Sequence, residues 1–183
     1  MNTVERTGVR GIVRIELRDK DGHRKPLFQN NRVWELLNRE FNLDVKIPFL
    51  TGKWTKNAIV HNTITTAGLS ETAKLLGGVT ADPISHMGLG IGTPTTTALG
   101  SEITTGGGER AAVTPSSQTT TVTGDTIRST NTYSFTDTFA VTEEGLFNAV
   151  SSGDMIASRS FSAINVANGD SLQITHDIVF SAS

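Results

Sequence analysis

The acidic and imidazole side chains are where chemistry would have to come from. Glu143 and Glu144 are adjacent, His176 precedes Asp177, and three more histidines stand at 23, 61 and 86. Two carboxylates in one site can divide acid and base roles, and a histidine beside a carboxylate can act as a general base. The spacing argues against both. Neighbours in an extended chain point to opposite faces, so Glu143 and Glu144 cannot readily share a site, and capping or surface charge is their expected role. The four histidines are widely separated, and none forms the i, i+4 pair of a helical metal site. His176 falls on the apolar parity of a strand, where a hydrogen-bonded core or subunit-contact histidine is expected ahead of a ligand.

The glycine clusters do not add a phosphate site. Gly88-Leu89-Gly90-Ile91-Gly92 superficially matches a dinucleotide loop, but that chemistry needs a helix opening directly after the glycines, and Thr93-Pro94-Thr95 follows instead. Gly106-Gly107-Gly108 lacks the Gly-Lys-Ser/Thr ending. No Gly-x-Ser-x-Gly elbow occurs, and with no cysteine there is neither a thiol nucleophile nor a thiolate zinc site. The expectation is a protein that is not an enzyme, with no catalytic, cofactor-binding or metal residues.

The elements that position these residues read as mostly β. Leu172, Ile174, His176, Ile178 and Phe180 alternate, the period of a half-buried strand, and Asn168-Gly169-Asp170 before them suits a turn. Gly145-Leu146-Phe147 and Met155 to Phe161 read as a core hairpin joined through Ser151-Ser152-Gly153. Gly11 to Arg18 alternates apolar and charged residues into Asp21-Gly22, a strong hairpin signal, with a return strand to Phe28 that Pro26 marks as an edge. A second hairpin is expected around Gly124-Asp125. Two short helices are predicted. One follows Asn30 or Asn31 as cap and spans residues 32–41; the other runs from about Ala67 to Leu76, with Leu69, Ala73 and Leu76 on one stripe and Gly77-Gly78 as its stop. Thr93 to Gly108 reads as a long surface loop.

Composition bounds the class. In 183 residues, 36% are hydrophobic and only 19% charged, with a formal net charge of −2. That suffices for a sizeable core and removes any global electrostatic reason to bind nucleic acid or a membrane surface. No apolar run is long enough to span a bilayer, and the start of the chain is read as leaderless. Abundant threonine with few aromatics favours strands over exposed helices. The expected fold is all-β, an antiparallel β-sandwich or jelly roll with an N-terminal β-hairpin arm. The expected division is 1–58 (hairpin, short helix and docking segment) and 59–183 (sandwich).

The order of several blocks is similar to that of virion proteins of tailed bacteriophages. These blocks are the Asp-Gly hairpin, Asn62-Thr63-Ile64-Thr65-Thr66-Ala67-Gly68-Leu69, His86 to Thr93, Val141-Thr142-Glu143-Glu144-Gly145-Leu146-Phe147-Asn148-Ala149, and Gly169 to Thr175. The resemblance covers most of residues 60–183 and implies a structural component of the particle. The first expectation is a capsid cement or decoration protein. A tail or fibre-attachment protein is the alternative, and a carbohydrate-binding β-sandwich module the second. It further implies major capsid protein or other virion proteins as partners, a homo-oligomer such as a trimer, and a place on the virion after synthesis in the host cytoplasm, the capsid surface ahead of the tail. Residues 30–58 match no pattern of that group, which makes them the expected docking element. Trp34, Phe49, Trp54, Arg14 and Arg18 are the expected partner-interface residues.

Overall fold

A computed structural model describes residues 8–31, 33–34 and 46–181. Strand dominates, arranged as one curled antiparallel sheet. Its path, in hydrogen-bonded order, is β7 (Ala111–Ala112), β6 (His86–Gly90), β10 (Phe139–Phe147), β11 (Met155–Val166), β5 (Ala58–Ile64), β1 (Gly8–Arg18), β12 (Ser171–Ser181), β9 (Thr126–Ser134) and β8 (Ser116–Gln118). β2 (Arg24–Lys25) adds to β1, and β3 (Leu27–Asn30) pairs with β4 (Gly52–Thr55) as a separate ribbon.

The curl follows from connectivity. β7 and β8 lie at opposite ends of the sheet, yet only residues 113–115 join them. Four Cα steps reach at most about 15 Å, so the two ends must come together. Contacts across the interior agree: Tyr133 of β9 donates its hydroxyl to the Met87 carbonyl of β6 at 2.7 Å. Burial raises the pKa of that phenol, which keeps it a neutral donor. The enclosed core includes Val13, Ile15, Leu89, Val141, Leu146, Leu172 and Ile174.

The first strand corrects the expectation of an N-terminal arm. β1 is central: all its residues from Gly8 to Arg18 pair with β12, and Gly11 to Ile15 pair with β5 on the other side. Alternate residues Val13, Ile15 and Leu17 are buried, which gives β1 two hydrogen-bonded edges and one core face. The hairpin turn itself forms as expected, with Gly22 at a φ of 83. Pro26 lacks the amide needed to continue along β1, and the chain leaves the sheet there to become β3. The division expected at residue 58 runs into β5, which β1 pairs directly.

The α-helix described over its whole length is α1 (Thr66–Leu76). Thr65 caps it by accepting from the Gly68 amide at 2.9 Å. It ends in a Schellman motif: Gly78 has φ 65, its amide donates to Leu75 O, and Val79 donates to Lys74 O. Its apolar stripe faces outward, however, with Leu69 and Leu76 exposed while Gly68 and Glu71 are buried. Gly68 is what sets this: an added Cβ would lie 2.0 Å from the Ile156 carbonyl, so the helix docks through a bare backbone and not through its leucines. Of the other expected helix only Val33 and Trp34 are described, both helical, with Asn31 Oδ1 accepting from the Trp34 amide as a cap would. Residues 35–45 lie outside the described residues.

Candidate functional site

The reactive-type side chains collect in the interior. A register shift between Val141 and Glu143 in the β10–β11 pairing lets Val141 and Glu144, three positions apart, both face the core. Glu144 then meets His176 of β12: Nδ1 lies 3.0 Å from Oε1, and both residues are fully buried. The Nε2 side is taken by the Asn62 amide of β5, which fits beside β1 only because Gly11 has no side chain there. With its proton on Nδ1, the ring donates to Glu144 and accepts from Asn62 at Nε2, so both nitrogens have a partner.

Ser129 is the cross-strand neighbour of His176, and its buried hydroxyl has no hydrogen-bond partner. A serine, a histidine and a glutamate are thus gathered in one place. Nucleophilic activation would need an imidazole nitrogen free to take the hydroxyl proton, and both nitrogens are engaged. Ser129, His176 and Glu144 are also all at 0% exposure. The cluster joins β10, β5 and β12 through buried side chains across the interior.

Glu143 points the other way, as the sequence parity requires, but surface charge is the wrong description. It is fully buried beneath the segment after β6. Its Oε1 accepts from the amides of Gly92 at 3.0 Å and Ser101 at 2.9 Å, and Oε2 accepts from Gly100 at 2.9 Å. One carboxylate therefore pins both ends of the 92–101 loop. Leu99 inserts beside Phe147 and Met155 in a second small core, and Ile103 joins the main one. The expected surface loop from Thr93 to Gly108 is consequently anchored along much of its length. Arg110 completes the anchoring: it binds Glu102 through two 2.7 Å hydrogen bonds, lies 3.5 Å from the Phe147 ring centroid, and donates to the carbonyls of Ala149 and Ser152.

The outer face of β1, β12 and β9 carries paired charge. Asp177 accepts from Arg128 at 2.7 and 2.8 Å and from Arg14. Burial pulls the Asp177 pKa up, but the hydrogen bonds and charges of Arg128 and Arg14 outweigh it and hold the carboxyl below its ordinary value. Arg18 binds Glu16 at 2.5 Å and the Gly22 carbonyl at 2.9 Å. The two arginines expected at an interface are thus committed to partners within the sheet.

The expected aromatic residues stand elsewhere, around the β3–β4 ribbon. Phe49 is fully exposed and adopts φ 68. A bulky residue is a genuine outlier in that region of backbone space. The turn is held rigidly: the Phe49 amide donates to Gly52 O at 2.9 Å, Thr51 is buried and bonds Ile47 at both amide and carbonyl, and Asn31 donates to Leu50 O. Leu50 at 66% exposure and Ile47 at 46% flank it. Trp54, 56% exposed, stacks edge-on against Phe28 with centroids 5.3 Å apart. The ribbon thus presents an apolar, preorganised tip. Trp34 is half-buried at its base, near Asn31.

No family model, curated protein or solved structure matches this chain.

Beside the tip lies a cleft of about 380 Å³. It exists because β5 and β11 pair only at Ile64–Ala157 and Thr63–Ser158 and then diverge. The ribbon bridges the gap through side chains: Gln29 donates to Ile59 O of β5, and Asn30 to Ser162 Oγ of β11. Leu27, Ala58, Val60 and Ile164 give the cleft an apolar floor. Sequence reading missed this cleft and the burial of Glu143 and Glu144. Only the register shift in β10 and the early end of the β5–β11 pairing create them, and neither leaves a mark in hydrophobic periodicity. Among the described residues, no helix is long and apolar enough to cross a membrane.

Proposed function

We propose that this chain is a structural component of a tailed-bacteriophage particle, a capsid cement or decoration protein, assembling through the tip of its β3–β4 ribbon on a sandwich- or jelly-roll-like scaffold. The resemblance of the Glu143 to Ala149 block and its companions supplies the class. The observation that carries the mode of action is Phe49: a fully exposed phenylalanine held at positive φ by a buried threonine. Backbone strain of this kind costs about 1–3 kcal/mol and persists where its surroundings impose it, commonly at functional sites. An exposed apolar tip is a liability for a free protein and a contact for an assembling one.

The reading is non-enzymatic. Glu143 spends its carboxylate on loop amides and Glu144 on a sealed histidine, so the paired acids are accounted for as architecture. Trp54 and Phe28 stiffen the ribbon behind the tip. Repetition of one modest contact over a lattice would then supply avidity.

Electron microscopy of purified particles carrying a labelled chain tests the reading. Label over the head supports the cement role; label confined to the tail transfers the chain to the fibre-attachment alternative; a chain missing from particles overturns the virion reading.

A further inference from the structure

We infer that the cleft between β5 and β11 is a binding site for a small amphipathic carboxylate, a single ring or short alkyl chain bearing one carboxyl group, with Arg159 recognising the anion. The inference goes beyond the virion reading and does not depend on it.

The cleft is built into the sheet. Between the pairs Val141–Ile164 and Glu143–Ser160, two steps along β10 face four along β11. The surplus residues lengthen the β11 wall just where its pairing with β5 has ended, after Thr63–Ser158. Irregularities of this kind re-aim side chains and are over-represented beside active sites. The ribbon closes a further side, through Gln29 to Ile59 O and Asn30 to Ser162 Oγ.

Size and polarity select the ligand. An apolar cavity of about 150 Å³ accommodates benzene. The cleft, at about 380 Å³, has room for a ring or short chain together with a polar head, and lies within the range of about 300–1,000 Å³ common to small-molecule sites. Its lining is divided: Leu27, Ala58, Val60 and Ile164 are apolar, while Asn30, Ser162 and Arg159 are polar. A wholly apolar guest would leave those polar groups without water, and a wholly polar one would gain nothing from the floor.

Charge decides the head group. Among the described residues lining the cleft, Arg159 is the one charged side chain, and no carboxylate there opposes an incoming anion. Arg159 is 8% exposed, so it belongs to the wall of the cleft and not to bulk water. A guanidinium has five N–H donors in a planar fork that matches a carboxylate, and contacts on one edge leave the other available. Asn30 adds a buried Oδ1 with no hydrogen-bond partner, which would accept from a hydroxyl on the ligand.

The test titrates the isotopically labelled full chain with sodium benzoate, sodium hexanoate and benzamide, the last a neutral match for benzoate in shape. The two carboxylates are expected to shift the backbone amides of residues 27–30, 58–60 and 159–164 saturably, in the millimolar range usual for ligands of this size. Benzamide should bind about tenfold or more weakly, the loss expected when a hydrogen bond to a charged group goes. Arg159→Gln is expected to bring benzoate down to the level of benzamide. Val60→Phe, which raises the floor, should weaken all three probes, with melting temperature checking that each variant folds. If Arg159→Gln does not fold, benzoate against benzamide on the wild-type chain answers the same question. No saturable shift with either carboxylate, shifts confined to residues outside the cleft, or equal affinity for benzoate and benzamide each overturn the inference. The presence or absence of the chain in particles does not enter this test, so the two readings fail separately.

Discussion

Glu144 and His176 meet across the interior, Nδ1 to Oε1 at 3.0 Å, although their strands lie four places apart in the sheet. Only a sheet curled back on itself can bring β10 against β12, so this contact reports closure of the whole fold. Removing either partner strands a buried polar group at about 1–3 kcal/mol. Glu144→Ala is therefore expected to lower unfolding free energy by at least that amount in urea titration. Unchanged stability would mean that the two walls do not rely on this pair.

Glu143 has a local task. Glu143→Ala removes the acceptor of three backbone amides, and the expected consequence is faster hydrogen exchange at Gly92, Gly100 and Ser101, with β1 and β12 little affected. Uniform acceleration over the whole sheet would show instead that the loop is integral to global stability.

Asp177 should govern part of the acid limb of stability. Its folded pKa lies below the unfolded value, so below about pH 4 the unfolded chain binds more protons and stability falls as pH falls. The contribution is complete above the unfolded pKa. Asp177→Asn is expected to flatten this limb in melts taken between about pH 5 and pH 2, and an identical slope in the variant would contradict the assignment.

Gly68→Ala separates helix propensity from docking. Alanine favours a helix interior by about 1 kcal/mol over glycine, yet its Cβ would stand 2.0 Å from the Ile156 carbonyl. The expected outcome is a lower melting temperature; a rise would show that α1 can shift away from β11 at little cost.

Much of the fold could be read from local pattern because local chemistry decides it. The alternation of Leu172, Ile174, His176 and Ile178, the Asp21-Gly22 turn and the Thr65 cap each depend on a few neighbouring residues. What escaped reading depends on partners distant in sequence. β1 is central because residues 171–181 pair with it, and nothing in Gly8 to Arg18 records that. A buried glutamate is indistinguishable from an exposed one until the amides that solvate it are known, as Gly92, Gly100 and Ser101 show for Glu143. Leu69 and Leu76 mislead for a related reason, since a single glycine contact turns their stripe outward. In the site, the aromatic character of the 49–54 segment was legible, but the exposure of Phe49 and Trp54 was not. The cleft beside it was not legible, because it is a gap between two strands.

The central claim is that the Phe49 turn is strained and exposed for assembly, and one substitution tests it directly. Phe49→Gly removes the apolar tip and relieves the positive-φ penalty of about 1–2 kcal/mol, part of which glycine returns as chain entropy. Quantifying this variant on purified particles beside the wild type, with the melting temperature of each, is the decisive measurement. The expected result is an equal or higher melting temperature with incorporation lost or sharply reduced. Full incorporation of a stably folded Phe49→Gly chain would contradict the claim.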